Sequence, residues 1–198
     1  MLKPISAHNC DALVEQVRQC RHCEGLPDIA RPIVQASSAA RILIIGQAPG
    51  SRTTAQGRPF DDASGERLRS WLGLERELFY DPACLAIMPM GFCFPGSTAS
   101  GDRPPRRECA PLWHPRLLEA MPAIRLTLLI GQYAQQRYIA DKPVSLTQTV
   151  ARWRELEPGV LPLPHPSPRN RRWFSNNPWF DTELLPELRR RVTLALAD

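Results

Sequence analysis

Two stretches carry residue types from which chemistry can be built. Residues 42–65, ILIIGQAPGSRTTAQGRPFDDASG, run from an apolar segment into a glycine-bounded loop that ends at Phe60 and the acids Asp61 and Asp62. Ligands of parallel α/β sheets bind beyond the carboxyl ends of the strands, where such a loop would bring an aromatic face and two carboxylates to one mouth. The second stretch, His165-Pro166-Ser167-Pro168-Arg169-Asn170, lies more than a hundred positions later, its turn stiffened by two prolines. Taken alone, each has a plainer reading. Asp62 or Ser64 would serve as the cap of a helix after an ordinary strand-to-helix connection, and a lone histidine is often structural. The GxxPG spacing is also shorter than a Walker loop and lacks its lysine.

Cysteines form a third group. Cys20-Arg21-His22-Cys23 is a Cys-x2-Cys pair that alone fits a redox couple, half of a metal site, or chance. Cys93 and Cys109, with fifteen residues between them, complete a set of four thiols from two distant segments. Such a set can hold a 4Fe–4S cluster or a tetrahedral zinc, tying the N-terminal helix to the loop after the second strand. Cys10 and Cys84 are left as small buried hydrophobes.

The elements that must position these groups alternate in type. Residues 41–45 are a short apolar, β-branched run of the kind found in a central parallel strand, and Gly46 and Gly50 allow a sharp turn after it. Further strands are expected at 85–90, at 126–130 and at 160–164, the last proline-punctuated and therefore near an edge. Helices are expected at 9–21, capped by Asn9 or Asp11 with Leu13, Val14 and Val17 on one face, and at 64–72, with Leu68, Trp71 and Leu72 inward. Others follow from Cys109, with Pro111 or Pro115 able to kink it, at 133–139 and at 146–154. The last starts at Asn177-Pro178 and buries Leu184, Leu185, Leu188 and Val192. Residues 25–40 read as an irregular surface wrap, and the basic loop 97–107 as exposed, mobile and able to meet phosphates. Strands alternating with helices imply a three-layer α/β/α sandwich around a four-stranded parallel sheet.

Composition bounds the rest. At 198 residues and 43% hydrophobic content, one core and a single domain, 1–198, are expected. The net charge is +5, carried almost entirely by arginine, which suits bidentate phosphate contact and favours a nucleic-acid partner. No signal-type apolar segment opens the chain and no run approaches the ~20 apolar residues of a membrane span. A cytoplasmic monomer is the expectation, in a compartment where six cysteines serve metal binding better than disulfides. The 21 prolines are spread between apolar segments, so they indicate rigid loops.

GQAPG at 46–50, GRPF at 57–60 and HPSPRN at 165–170 resemble the paired motifs of the uracil-DNA glycosylase superfamily over most of the chain. The order Cys-x2-Cys then Cys-x15-Cys is similar to that of its iron–sulfur branch. The resemblance implies a 4Fe–4S cluster, rather than zinc, on Cys20, Cys23, Cys93 and Cys109. It implies hydrolysis of the N-glycosidic bond of uracil, or another deaminated base, flipped out of DNA for base excision repair. By the same resemblance His165 would hydrogen-bond the uracil oxygen that gains charge, and Phe60 would stack on the base. The Gly46, Gln47, Ala48, Pro49 and Gly50 turn would contact its edge. Ser167 would bind a flanking phosphate, Arg169 or Asn170 would fill the gap left in the DNA, and Arg171 would extend the basic surface. This chain departs from its relatives at three positions: Ala48 replaces the aspartate of the uracil-specific branch, Gln47 the glutamate common in the iron–sulfur branch, and Pro89 an asparagine that reads the base. Asp61 or Asp62 is then the substitute acid. Two other readings are a non-catalytic binder of damaged or single-stranded DNA that keeps the fold, and a nucleotide-binding α/β protein.

Overall fold

The apolar run forms β1 (Ile42–Ile45), and none of its four residues is exposed. Its side chains alternate between two cores. Ile42 and Ile44 join one cluster, and Leu43 and Ile45 join the other, so both faces of the sheet are covered. The computed structural model describes residues 7–99, 101–141, 143 and 145–197, with side chains from residue 10 onward.

β1 pairs in parallel with β2 (Leu85–Ile87) on one side and with β5 (Leu126–Ile130) on the other, and β5 pairs in parallel with β6 (Val160–Leu163). The order is β2-β1-β5-β6, which puts the proline-containing β6 at an edge, where a missing N–H costs no ladder bond. A two-residue hairpin, β3 (Ser97–Thr98) and β4 (Gly101–Asp102), stands apart from the main sheet.

One face of the sheet carries α3 (Ala63–Leu72), the short α4 (Arg76–Phe79), α7 (Leu146–Ala151) and α9 (Leu185–Leu196). The opposite face carries α1 (Ala7–Arg18), α5 (Cys109–Glu119) and α6 (Gln132–Tyr138). The result is a three-layer α/β/α sandwich around a four-stranded parallel sheet. None of the helices among the described residues is long and apolar enough to cross a membrane.

Several elements differ from expectation for local reasons. The second strand is shorter than 85–90, although its hydrogen bonds continue as Met88 N to Ile44 O, 2.9 Å, and Met90 N to Gly46 O, 2.8 Å. Residues 33–36 are not a surface wrap: Ile33, Val34, Gln35 and Ala36 are buried, and Gln35 bridges Ile87. α1 is already helical at Ala7, so Asp11 lies within it instead of capping it, and the Asn9 side chain lies outside the described residues. α2 (Ser51–Gln56) and α8 (Arg171–Asn176) occupy stretches expected to be loops. Asn177 closes α8, its amide donating to Trp173 O, and the chain restarts through a π-helical turn, Phe180–Leu184, before α9. Leu184, Leu185, Leu188 and Val192 are buried as expected.

α5 carries a fully buried histidine. His114 Nε2 is 3.0 Å from Pro89 O, which can only accept, so Nε2 bears the proton and Nδ1 accepts from the Tyr138 hydroxyl at 2.6 Å. Burial pulls its pKa down from 6.5 to about 4. The folded chain therefore refuses a proton that the unfolded chain binds, and the stability tied to His114 is intact above pH 6.5 and lost as pH falls toward 4. We expect that loss to reach about 3 kcal/mol at about 1.4 kcal/mol per pH unit. Urea titrations from pH 7.5 to 4.5 should show a slope shallower by one proton in His114→Gln.

Candidate active site

The loops after β1, β2 and β6 leave the same edge of the sheet and enclose a cleft of about 330 Å3, within the range of small-ligand sites. Gly46, Gln47, Ala48, Pro49 and Gly50 form its floor, and Phe60 and Asp62 line it from the return of the first loop. Pro89 lines it from the chain after β2, and His165, Ser167 and Arg169 from the loop after β6.

Phe60 is held in an uncommon conformation, with φ at 52°. Its carbonyl accepts the Tyr80 hydroxyl at 3.0 Å and lies so close to Gly65 that a Cβ there would be 1.7 Å from the oxygen. Its ring meets Phe79 edge-on, with centroids 6.5 Å apart, and reaches over Gly46, where a Cβ would be 3.4 Å from Cζ. Two glycines thus seat the carbonyl and the ring of one aromatic residue.

The two acids part company. Asp61 turns away from the cleft: Arg76 at 2.8 Å and Arg58 at 2.9 Å bind its carboxylate, and the hydrogen bond from Arg76, followed by Arg58, holds it below the usual carboxylate range. Asp62 stays in the cleft and caps α3, with Oδ1 accepting Gly65 N at 2.9 Å.

His165 is fixed by its own turn. Nδ1 accepts Ser167 N at 3.2 Å, so the neutral ring carries its proton on Nε2 as a donor, and the carbonyl accepts Asn170 Nδ2 at 2.8 Å. Burial lowers the His165 pKa, while the charges of Asp62 and Asp102 oppose the shift. The ring is therefore neutral at physiological pH. Arg169 lines the main cleft and its backbone N–H donates to Ser167 Oγ, which leaves the hydroxyl proton free to donate. Asn170 faces a smaller cavity of about 240 Å3 beyond His165, with Gln47, Tyr133 and Trp173, and Arg171 is exposed at the start of α8.

Asp102 also lines the cleft, from the β3–β4 hairpin, although neither its type nor its position stands out in the sequence. The turn-forming run Ser97-Thr98-Ala99-Ser100-Gly101 was the available signal for the hairpin. Thr53, 3% exposed, lines the cleft from α2.

On the far side of the loop after β2, Cys20, Cys23, Cys93 and Cys109 line a single cavity of about 210 Å3. Burial, followed by the neighbouring thiols, pushes Cys93 up to about 12, and burial pushes Cys109 up to about 11. Among the described residues no three of His, Cys, Asp and Glu are grouped as ligands of a single ion. Cys10 is buried in the core, and half-buried Cys84 bonds Asp81.

The strand ends of a parallel α/β sheet thus gather an aromatic ring, a neutral histidine donor, carboxylates and exposed arginines around one cleft. The chain belongs to the Uracil DNA glycosylase superfamily, whose sequence profile matches residues 34–189. The type-4 uracil-DNA glycosylase of Saccharolobus solfataricus is 28% identical over 126 residues, 61% of this chain and 55% of that protein. The chain thus spans little more than half the length of that relative.

The close approach at Gly65 gives a direct check. Gly65→Ala should cost about 2 kcal/mol or more, because the Cβ would meet backbone and not a movable side chain. In Gly50→Ala the nearest atom to the added Cβ is Asp102 Oδ2 at 3.5 Å, and that variant should melt with the wild type. Differential scanning calorimetry of the two proteins reads the difference.

Proposed function

We propose that the protein is a DNA glycosylase that hydrolyses the N-glycosidic bond of uracil, or a related deaminated base, flipped out of DNA. The observation that carries this reading is that Phe60, His165 and the 46–50 turn line one cleft, although they come from opposite ends of the sequence. A base extruded into the cleft would stack on Phe60, with its edge along the main chain of Gln47 and Ala48. As the bond breaks, negative charge grows on the base and positive charge on the sugar. The proton on His165 Nε2 meets the first, and a hydrogen bond that strengthens as charge develops lowers the barrier rather than the ground state. Asp62, oriented by Gly65 N, opposes the second. Ser167, Arg169 and Arg52, which line the cleft, and the exposed Arg171 would meet phosphates of the flanking strand.

Cys20, Cys23, Cys93 and Cys109 fit a 4Fe–4S cluster better than zinc. A zinc ion needs all four sulfurs about 2.3 Å from one point, whereas these thiols are spread around the lining of a cavity of about 210 Å3. Among the described residues no three of them group on a single ion. A cluster there would supply the positive charge that lets buried, mutually repelling thiols ionise, and would tie the end of α1 to the start of α5. Its role is structural, and it suits a cytoplasmic protein.

Excision from uracil-, hypoxanthine- and xanthine-containing oligonucleotides, read as alkali-labile breaks, tests the activity. His165→Ala should slow it 100-fold or more while DNA affinity is kept. Strands left intact on every substrate would instead favour a binding protein. Freshly purified protein should be brown, with iron and acid-labile sulfide in equal amounts, and Cys93→Ser should bleach it and lower its melting temperature. A colourless protein with stoichiometric zinc would overturn the cluster assignment.

A further inference from the structure

Three acids stand near the mouth of the cleft, and two of them are committed elsewhere. Asp61 is bound by two arginines, and Asp62 caps α3 through Gly65 N, so a proton taken up by either would weaken those contacts. Asp102 has no such duty. Among the described residues its hydrogen-bond partner is the Ser97 hydroxyl, 2.6 Å from Oδ1. Oδ2 is left facing the 46–50 turn, 3.5 Å from where a Cβ on Gly50 would stand.

The hairpin that carries Asp102 is closed at its base and tied to the first turn. Arg103 N donates to Gly96 O at 2.8 Å, and Gln47 Nε2 to Arg103 O at 3.2 Å. Gly101 lies near the Arg169 guanidinium, which a Cβ there would approach to 3.7 Å. The carboxylate lines the cleft beside the histidine loop, whose Arg169 flanks the hairpin. It sits among Arg52 and Arg169, on a surface meant for phosphates, where an acid weakens attraction for DNA. An acid in that place opposes ground-state binding and favours a state in which the sugar has become positive.

We propose that Asp102 is a catalytic residue of this cleft, with Oδ2 holding and deprotonating the attacking water while Ser97 fixes Oδ1. This rests on the glycosylase reading. The water oxygen forms the new bond to C1′ as the bond from C1′ to the base nitrogen breaks, and that electron pair leaves with the base, where His165 faces it. Asp102 takes the water proton, which later neutralises the departing base, so the products are an abasic sugar bearing a hydroxyl and the free base. The proposal also accounts for how Ala48 can replace an acid on the first turn: the carboxylate comes from the hairpin instead.

Single-turnover excision by wild type and Asp102→Asn, beside their DNA affinities, decides it. Asparagine keeps the acceptor for Ser97, so the hairpin should persist and circular dichroism melts should coincide. We expect the rate to fall 100-fold or more, DNA to bind equally or a few-fold tighter, and formate to restore part of the rate to Asp102→Ala. A rate within threefold of wild type, or a loss of rate and affinity together without rescue by formate, would overturn the proposal. Wild type inactive on every deaminated base would instead bring down the glycosylase reading, and this proposal with it.

Discussion

The parallel ladder of β1 does not stop where the strand stops, and the site depends on that continuation. Beyond Ile45 the chain after β2 still bonds to it, through Met90 N to Gly46 O and Gly91 N to Gln47 O at 3.0 Å. The 46–50 turn is therefore an extension of the sheet, with main-chain positions set by a neighbouring strand. On the other side β5 separates β1 from β6, and the register that pairs Ile130 with Leu163 brings His165 out at the same level. Two strand spacings of about 4.8 Å set the two loops roughly 10 Å apart, backbone to backbone. Once the side chains have taken their share, a gap of that width leaves room for a flat ring.

Charge in the cleft follows from what each group is bonded to. His165 is kept neutral by burial and oriented by Ser167 N, so it offers an N–H donor to the cleft without adding a positive charge. Asp61, next in sequence to an acid of the cleft, is neutralised outside it by Arg58 and Arg76. The arginines Arg52 and Arg169 line the same cleft, each with an exposed side chain.

The sheet was legible in the sequence because its signal is local. Each strand is an apolar run ended by glycine or proline, and Pro162 in β6 placed that strand at the edge. The pairing of the 46–60 loop with the 165–170 loop was legible only through resemblance, because nothing local says that residues a hundred positions apart share a cleft. What could not be read was the tertiary use of short polar segments. Whether Asp61 or Asp62 faces inward is decided by Arg76, an arginine fifteen positions away whose partner no pattern announces. The hairpin that presents Asp102 has two residues per strand, too few for any alternation to register. α1 likewise showed its apolar face but not its start, since Asp11 is an exposed position inside the helix.

Pro89 shows how the departures from the relatives fit together. A proline there has no N–H to offer, and its carbonyl is already taken by His114 Nε2, itself steadied by Tyr138. Position 89 therefore gives the cleft only an apolar ring and a fixed backbone. Polar groups come instead from the main chain of the first turn, the Nε2 proton of His165 and side chains that include Gln47, Thr53, Asp62 and Ser167. A buried histidine on α5 thus shapes the cleft without entering it, by holding the carbonyl of a residue that lines it.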